Sequence, residues 1–457
     1  MNKGRVVERF YAYVDANADR FVAQLERLCS QPSVAAQNLG VAETARMVLD
    51  MLRGIGADAR LIEVADAPPV VYGEIGGGDK TLIVYDHYDV QPPEPLDQWH
   101  SDPFSPEIRE GFLYCRGVAD NKGDLVSRLQ AIEAYQEAMG GLPLRIKFVF
   151  EGEEEVGSPH LAQFVAENKG LLQGADGLLW EGGRKDMAGR PQIYLGLKGI
   201  QYVELRATGA SRDVHSSWAP LVPNPAWRLV WALSTLKDEH DHITVDGLME
   251  HVAPPPDDDL ELLRRIPFEE LKIKEDLEIP QFLGGATGMD AVQSLLYAPT
   301  CTICGIVAGY IGEGSKTVLP SEARVKLDFR LVPDLEPDLV LDLLRKHLDR
   351  RGFDDIEIVP MSGEHPAKSS PEASIVRAAV EAARVVYGQD PVVYPLMAGS
   401  GPMYPLSQAL GIPVVSGVGV GHAQSRIHAP NENIRLSDYF ESVKFTGQLI
   451  HLFAILD

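Results

Sequence analysis

Leu82-Ile-Val-Tyr85 is apolar on both faces and stops abruptly at Asp86-His87-Tyr-Asp89. A strand without a polar face has to be covered on both sides, the situation of a strand inside a largely parallel sheet held between helices. Up to about residue 198 short apolar strands alternate with amphipathic helices, which extends that expectation to an α/β fold. The end of the first strand carries the chemistry. His87 and Asp89 are two apart, so in an extended chain both point to one face. A ligating histidine usually passes its second ring N–H to a carboxylate, and His87 with Asp89 fits that pairing.

Four further segments offer donors where the chain turns. Asp120 lies in Cys115-Arg-Gly-Val-Ala-Asp-Asn121-Lys-Gly123-Asp124, just before an amphipathic helix expected over Asp124–Met139. The alternating strand Leu144–Phe150 ends in Glu151-Gly-Glu153-Glu154-Glu155. Carboxylates this close raise one another's pKa unless solvent or a cation relieves them. Glu181 follows the short apolar run Gly177–Trp180 and precedes two glycines, and His428 stands in a turn near the C-terminus. Singly, each has an ordinary explanation as a turn or surface residue. Jointly they form a set able to hold two divalent ions with one bridging carboxylate.

The blocks His87-Tyr-Asp-Val-Gln-Pro-Pro93, Trp99-His-Ser-Asp-Pro-Phe104, Leu113–Gly123 and Glu151–Ser158 resemble the signatures of the co-catalytic di-zinc peptidases. That family spans carnosinases, cytosolic dipeptidases, glutamate carboxypeptidases, aminoacylases and acetylornithine or succinyl-diaminopimelate deacylases. The His-Tyr-Asp-Val-Gln-Pro form resembles the dipeptidase branch. The resemblance implies one metal on His87, Asp120 and Glu181, and a second on Asp120, Glu155 and His428, with Asp120 as the bridge. It further implies that Glu154 is the general base acting on a bridging water and that Asp89 orients His87. Two positions depart from the pattern. Asn121 replaces a frequent Asp after the bridge, often joined to it by a cis peptide. Glu181 replaces the Asp usual in dipeptidases and matches the carboxypeptidases and succinyl-diaminopimelate deacylases.

An insertion is expected within the catalytic domain, which is therefore discontinuous: residues 1–198 and 366–457 form the sheet domain, and 199–365 an α+β lid or dimerisation domain. Here Arg212-Asp-Val-His215 resembles the block whose histidine reaches a dimer partner's site to stabilise the oxyanion, so a homodimer is implied. Asp328-Phe-Arg330 resembles the block whose arginine grips the substrate carboxylate, a task for a planar two-pronged donor. Thr317, Gly399 and Ser400 are the further substrate-binding candidates.

Charge and cysteine usage fit this reading. Lys and Arg total 42 against 66 Asp and Glu, a net charge of −24 that disfavours nucleic acid and anionic membrane. Met1–Arg20 has no apolar signal core, and no run approaches the roughly 18 apolar residues of a membrane span, which leads to the expectation of a cytoplasmic protein. Cys29, Cys115, Cys301 and Cys304 are too scattered for a disulfide framework, and the Cys301-Thr-Ile-Cys304 pair lacks the second pair that a zinc knuckle needs. Gly417-Val-Gly419-Val-Gly421 lacks the rest of a dinucleotide-binding unit. His240-Asp-His242 belongs to a charged, solvated run.

The expectation is a hydrolase of small peptides with a free carboxylate, carrying two divalent ions. Zinc is expected first, although manganese and cobalt suit the same nitrogen and oxygen donors. An N-acyl or N-succinyl amino acid deacylase is the near alternative. A silent binding member of the fold is the remote one, and no member of the catalytic set is missing to suggest it.

Overall fold

The computed structural model describes residues 3–456 and divides into two compact units. The first comprises the chain up to Gly196, Lys368–Pro395 and the chain from Pro402 on, and the second Leu197–Ala367 with Leu396–Gly401. The small segment Leu396–Gly401, which holds Gly399 and Ser400, is an excursion that sequence patterning does not reveal. Hydrogen bonds explain its membership: Lys198 N donates to the carbonyls of Met397 and Gly399, and Ser400 Oγ donates to that of Gly199.

The first unit is built on an eight-stranded sheet in the order Asp58–Ile62, Val70–Gly76, Arg145–Glu151, Thr81–His87, Gly177–Trp180, Val414–Ser416, Gln192–Tyr194, Val392–Tyr394. Arg145–Glu151, Thr81–His87, Gly177–Trp180 and Val414–Ser416 run parallel to one another, with antiparallel neighbours on either side of the four. These four are buried along nearly their whole length, as the absence of a polar face predicts for Thr81–His87 and Gly177–Trp180, whereas Arg145–Glu151, which reads as alternating, buries Lys147 as well. Because they are parallel, their carboxyl ends share one edge, where open α/β sheets bind ligands. Just beneath that edge the rings of Tyr85 and Trp180 stack at 3.9 Å.

Lys122–Met139 forms a helix buried on almost all sides, packed against Leu436–Ile455 and Ala18–Cys29. It begins two residues earlier than the amphipathic pattern alone suggests. Gly123 explains the tight start, since a Cβ there would lie 2.0 Å from the Val118 carbonyl oxygen. The helix ends at Gly140, whose φ of 79° is the left-handed conformation that favours glycine as a cap.

In the second unit an antiparallel sheet runs in the order Thr302–Ala308, Glu322–Leu331, Gly199–Thr208, Glu357–Glu364. The strict in-out alternation of Glu322–Leu331 gives it one buried face, carrying Val325, Leu327 and Phe329. Helices Pro225–Leu233 and Pro337–Arg350 cover that face through Leu229, Ala232, Val340 and Leu344. Helix Pro225–Leu233 starts where Asn224 accepts the Ala226 N–H and ends at Ser234. The hydroxyls of Ser234 and Thr235 turn back onto the carbonyls of Trp231 and Ala232, in competition with further helical bonding. All four cysteines are free thiols, with Cys301 buried and Cys304 exposed. His240 and His242 are exposed. No helix among the described residues is long and apolar enough to cross a membrane.

Candidate dinuclear metal centre

Three of the parallel strands bring their terminal residues together. His87 ends its strand and is 1% exposed. Glu154 and Glu155 form the first turn after Arg145–Glu151, and Glu181 follows Gly177–Trp180. Asp120 arrives from the loop before helix Lys122–Met139, through a cis bond to Asn121. His428 comes from the segment after the fourth parallel strand.

The imidazoles then meet carboxylates on both sides of Asp120. His87 Nε2 lies 3.1 Å from Asp120 Oδ1 and 3.3 Å from Glu181 Oε2. His428 Nε2 lies 3.1 Å from Asp120 Oδ2 and 3.1 Å from Glu155 Oε2. Asp120 thus presents one oxygen to each histidine, the geometry of a bridge. Donors about 2.0–2.1 Å from one tetrahedral ion sit about 3.3 Å apart, so these separations suit zinc-like coordination. A proton fits less well. Each Nε2 faces two carboxylate oxygens, which one N–H cannot serve equally, and Glu155 Oε1 is buried with no hydrogen-bond partner. Donors of this type fit a pair of divalent ions.

Electrostatics lead to the same conclusion. Burial opposes charge on Asp120, but hydrogen bonds from His428 and His87 outweigh it and hold its carboxyl below the usual range. Hydrogen bonds to Asp120 and Glu155 raise His428 to about 10. Burial drives Glu181 well above an ordinary carboxyl, with His87 opposing and Glu154 and Asp120 adding repulsion. Burial likewise pushes Glu154 to about 8, against the pull of His87 and with the charges of Asp120 and Glu155 added. This much uncompensated negative charge is what a cation would neutralise. Glu154 lies within 4.8 Å of donor atoms of His87 and Glu181, so proximity alone would admit it as a ligand. We separate it from the ligands because the ring nitrogens contact Asp120, Glu155 and Glu181.

The acidic run resolves into separate tasks. Glu151 is buried and accepts from Tyr85 Oη at 2.5 Å and Ser158 Oγ at 2.8 Å. Glu153 pairs with His160 at 2.8 Å. His87 Nδ1 lies 3.1 Å from the Asp89 carbonyl oxygen and 3.3 Å from the Asp89 carboxylate, whose two oxygens accept the backbone N–H groups of Glu154 and Glu155 at 3.2 and 3.1 Å. It therefore holds the ring of His87 and the turn bearing Glu154 and Glu155 in one register.

Sequence reasoning passed over several supporting residues. Gln91 Nε2 donates to Glu155 Oε2 at 2.8 Å. A signal existed, because His87, Asp89 and Gln91 continue the same two-residue spacing. Arg128 donates to Asp86 Oδ1 and to the carbonyls of Tyr85 and Trp180, and Asp86 accepts from Asn121 Nδ2 at 2.9 Å. Nothing in a helical arginine announces that.

In the second unit His215 and Thr317 come together from the paired segments Val214–His215 and Val318–Leu319, with His215 Nε2 3.2 Å from Thr317 Oγ1. Ser217 N donates to His215 Nδ1, which puts the neutral ring's proton on Nε2. Arg330 is partly exposed and donates from Nη1 to Ser400 Oγ at 3.0 Å and from Nε to Asp328 at 3.2 Å.

Residues 83–452 match peptidase family M20/M25/M40. The chain is 27% identical to the Beta-Ala-His dipeptidase of Rattus norvegicus, over 96% of this chain and 94% of that one. It is 28% identical to a Cys-Gly metallodipeptidase of Schizosaccharomyces pombe, over 97% and 98%. Among solved structures, an M20 family metallo-carboxypeptidase from Sulfolobus solfataricus superposes with a TM-score of 0.90 at 38% identity, covering 95% of this chain and 99% of that one.

Proposed function

The chain belongs to peptidase family M20/M25/M40 and is a metallopeptidase, and from that premise we propose that it hydrolyses dipeptides bearing a free C-terminal carboxylate. Its metals would be two divalent ions, zinc foremost, one on His87, Asp120 and Glu181 and one on Asp120, Glu155 and His428. The observation that carries this reading is the bridging geometry of Asp120, one oxygen 3.1 Å from each histidine. When bound, such ions polarise an amide carbonyl and lower the pKa of water. The chain's own residues would do the rest. Glu154 takes the proton from the attacking water and returns it to the leaving amine nitrogen. His215 offers its Nε2–H to the carbonyl oxygen as charge develops there. Arg330, oriented by Asp328 and Ser400, receives the substrate carboxylate, with Thr317 and Gly399 beside these residues as further contacts.

Relatives named for Beta-Ala-His and Cys-Gly support dipeptides as the substrate class. Glu181, with the likeness to a carboxypeptidase, favours a second reading in which the substrate's N-terminus goes unread. Turnover by metal-reconstituted protein of free dipeptides, N-acyl amino acids and N-succinyl compounds decides between them. Efficient cleavage of free dipeptides is expected. Refusal of dipeptides with turnover of the blocked compounds would make the chain a deacylase.

Arg330 gives a sharper test of the carboxylate requirement. A charge-assisted hydrogen bond is worth about 1.5–3 kcal/mol, so amidated dipeptides should be cleaved at least about ten times less efficiently than free ones. Arg330→Ala should abolish that discrimination by slowing the free acids alone. Equal kcat/KM for free and amidated dipeptides in the native enzyme would remove Arg330 from the site.

A homodimer belongs to the same proposal. The edge strand Thr302–Ala308 exposes Ile303, Ile306 and Val307, and helix Pro225–Leu233 exposes Trp227 and Trp231, whose rings stack 6.0 Å apart. An open apolar edge strand is a liability that proteins cover. A second copy of this chain, pairing along that strand, would cover it and bring a second His215.

A further inference from the structure

We infer that Glu432, through its buried pair with Arg116, is a positioning residue that presets the Asp120 carboxylate and the His428 ring relative to one another. The inference rests on the reading of Asp120 and His428 as metal ligands. It begins with a count of donors. The Glu432 side chain is fully buried and accepts from Arg116 Nη1 at 2.6 Å, Gly117 N at 3.0 Å, Ala119 N at 2.8 Å and Asp120 N at 3.0 Å. Three backbone N–H groups of one short loop thus converge on a single carboxylate, and the last of them belongs to the bridge itself. Where those amides point determines where the Asp120 side chain emerges.

The same residue fixes the other ligand from its own end. Glu432 is four positions after His428, and its carbonyl accepts from Cys115 N at 3.1 Å. Its neighbour Asn431 accepts from His100 N at 2.9 Å and donates to Gln98 O at 2.8 Å. The turn between is unusual, because Arg426, His428 and Asn431 have φ of 57°, 61° and 63°. Residues with side chains keep that left-handed conformation only where their surroundings hold them. Arg116 extends the connection to a third segment, since Nη2 donates to Pro92 O at 3.3 Å, just beyond His87 and Gln91. The guanidinium also lies 5.4 Å from the ring of Trp99. One ion pair therefore ties together the chain segments that carry His87, Asp120 and His428. Burying two charges is costly unless each is fully hydrogen-bonded. Glu432 meets that condition by engaging the ligand loop, while Arg116 Nε is buried without a partner, so the cost of the pair is offset through the amides of that loop and is coupled to the geometry of the site.

Glu432→Gln tests this, because it keeps the shape but turns an acceptor into a donor facing N–H groups. Zinc affinity, titrated against a chromophoric chelator on protein whose circular dichroism matches the native chain, should weaken about 10–100-fold, as for loss of other supporting partners of metal ligands. At saturating zinc kcat should fall while KM holds. Unchanged zinc affinity in the folded variant, alongside a defective Asp120→Ala, overturns this inference alone. Undiminished zinc binding by Asp120→Ala overturns the ligand reading and this inference with it. Hydrogen exchange on the native chain is a second test that needs no variant. The amides of residues 117–120 should be protected before zinc is added and gain little from it. Free exchange there until zinc is added overturns the inference.

Discussion

Glu154→Gln should hold as many metal ions per chain as the native protein, and yet turn over dipeptides about 10²–10⁴-fold more slowly, the range for loss of a general base. The expectation follows from the two fates of adjacent glutamates. Glu155 Oε2 is 3.1 Å from His428 Nε2 and accepts from Gln91, whereas Glu154 lies within 4.8 Å of donor atoms of His87 and Glu181 without replacing Asp120 or Glu181 in the contacts of His87. Asp89 holds both backbone amides, so exchanging one side chain leaves the turn itself anchored. Glu155→Gln should instead lose metal. Counting bound zinc in both variants separates the roles, and near-native turnover by Glu154→Gln would end its assignment as the base.

What was legible in the sequence follows from what a linear pattern can encode. The apolar strands ending at His87 and Trp180, and the alternating one before Glu151, follow from periodicity, because burial on one or two faces is a local property of the chain. That these strands are neighbours, and parallel, turns three isolated signals into one edge. The resemblance supplied the pairing of His87 and His428 across Asp120, which spacing alone left open. Residues that act by long-range hydrogen bonds escaped notice. Arg128 sits mid-helix and Glu432 sits in a turn, and each owes its meaning to carbonyls or amides hundreds of positions away in the chain or on other strands. The excursion of Leu396–Gly401 into the second unit was hidden for the same reason. Its signal is a backbone hydrogen-bond pattern with Lys198 and Gly199, and no composition shift marks it.

His215→Ala should lower kcat by about 10²–10³-fold, the usual cost of removing one donor to a developing oxyanion. The structure gives the reason a histidine is suited to the task. Ser217 N donates to Nδ1, so the neutral ring carries its proton on Nε2, where Thr317 Oγ1 accepts it in the resting state at 3.2 Å. A substrate oxygen can take over that acceptor position without any change of tautomer. Whether the ring serves its own chain or a partner's is decided by mixing two inactive variants. In a two-fold dimer with His215 acting in trans, a chain carrying His215→Ala and a chain carrying Glu154→Gln together form one intact site and one doubly defective site. Random exchange at equal amounts yields half heterodimers, so about one quarter of native activity should return. The readout is kcat after subunit exchange, with mixing verified by mass-tagged chains. Verified heterodimers without recovered activity would assign His215 to its own subunit, and a native chain that stays monomeric at assay concentration would remove the dimer from the mechanism.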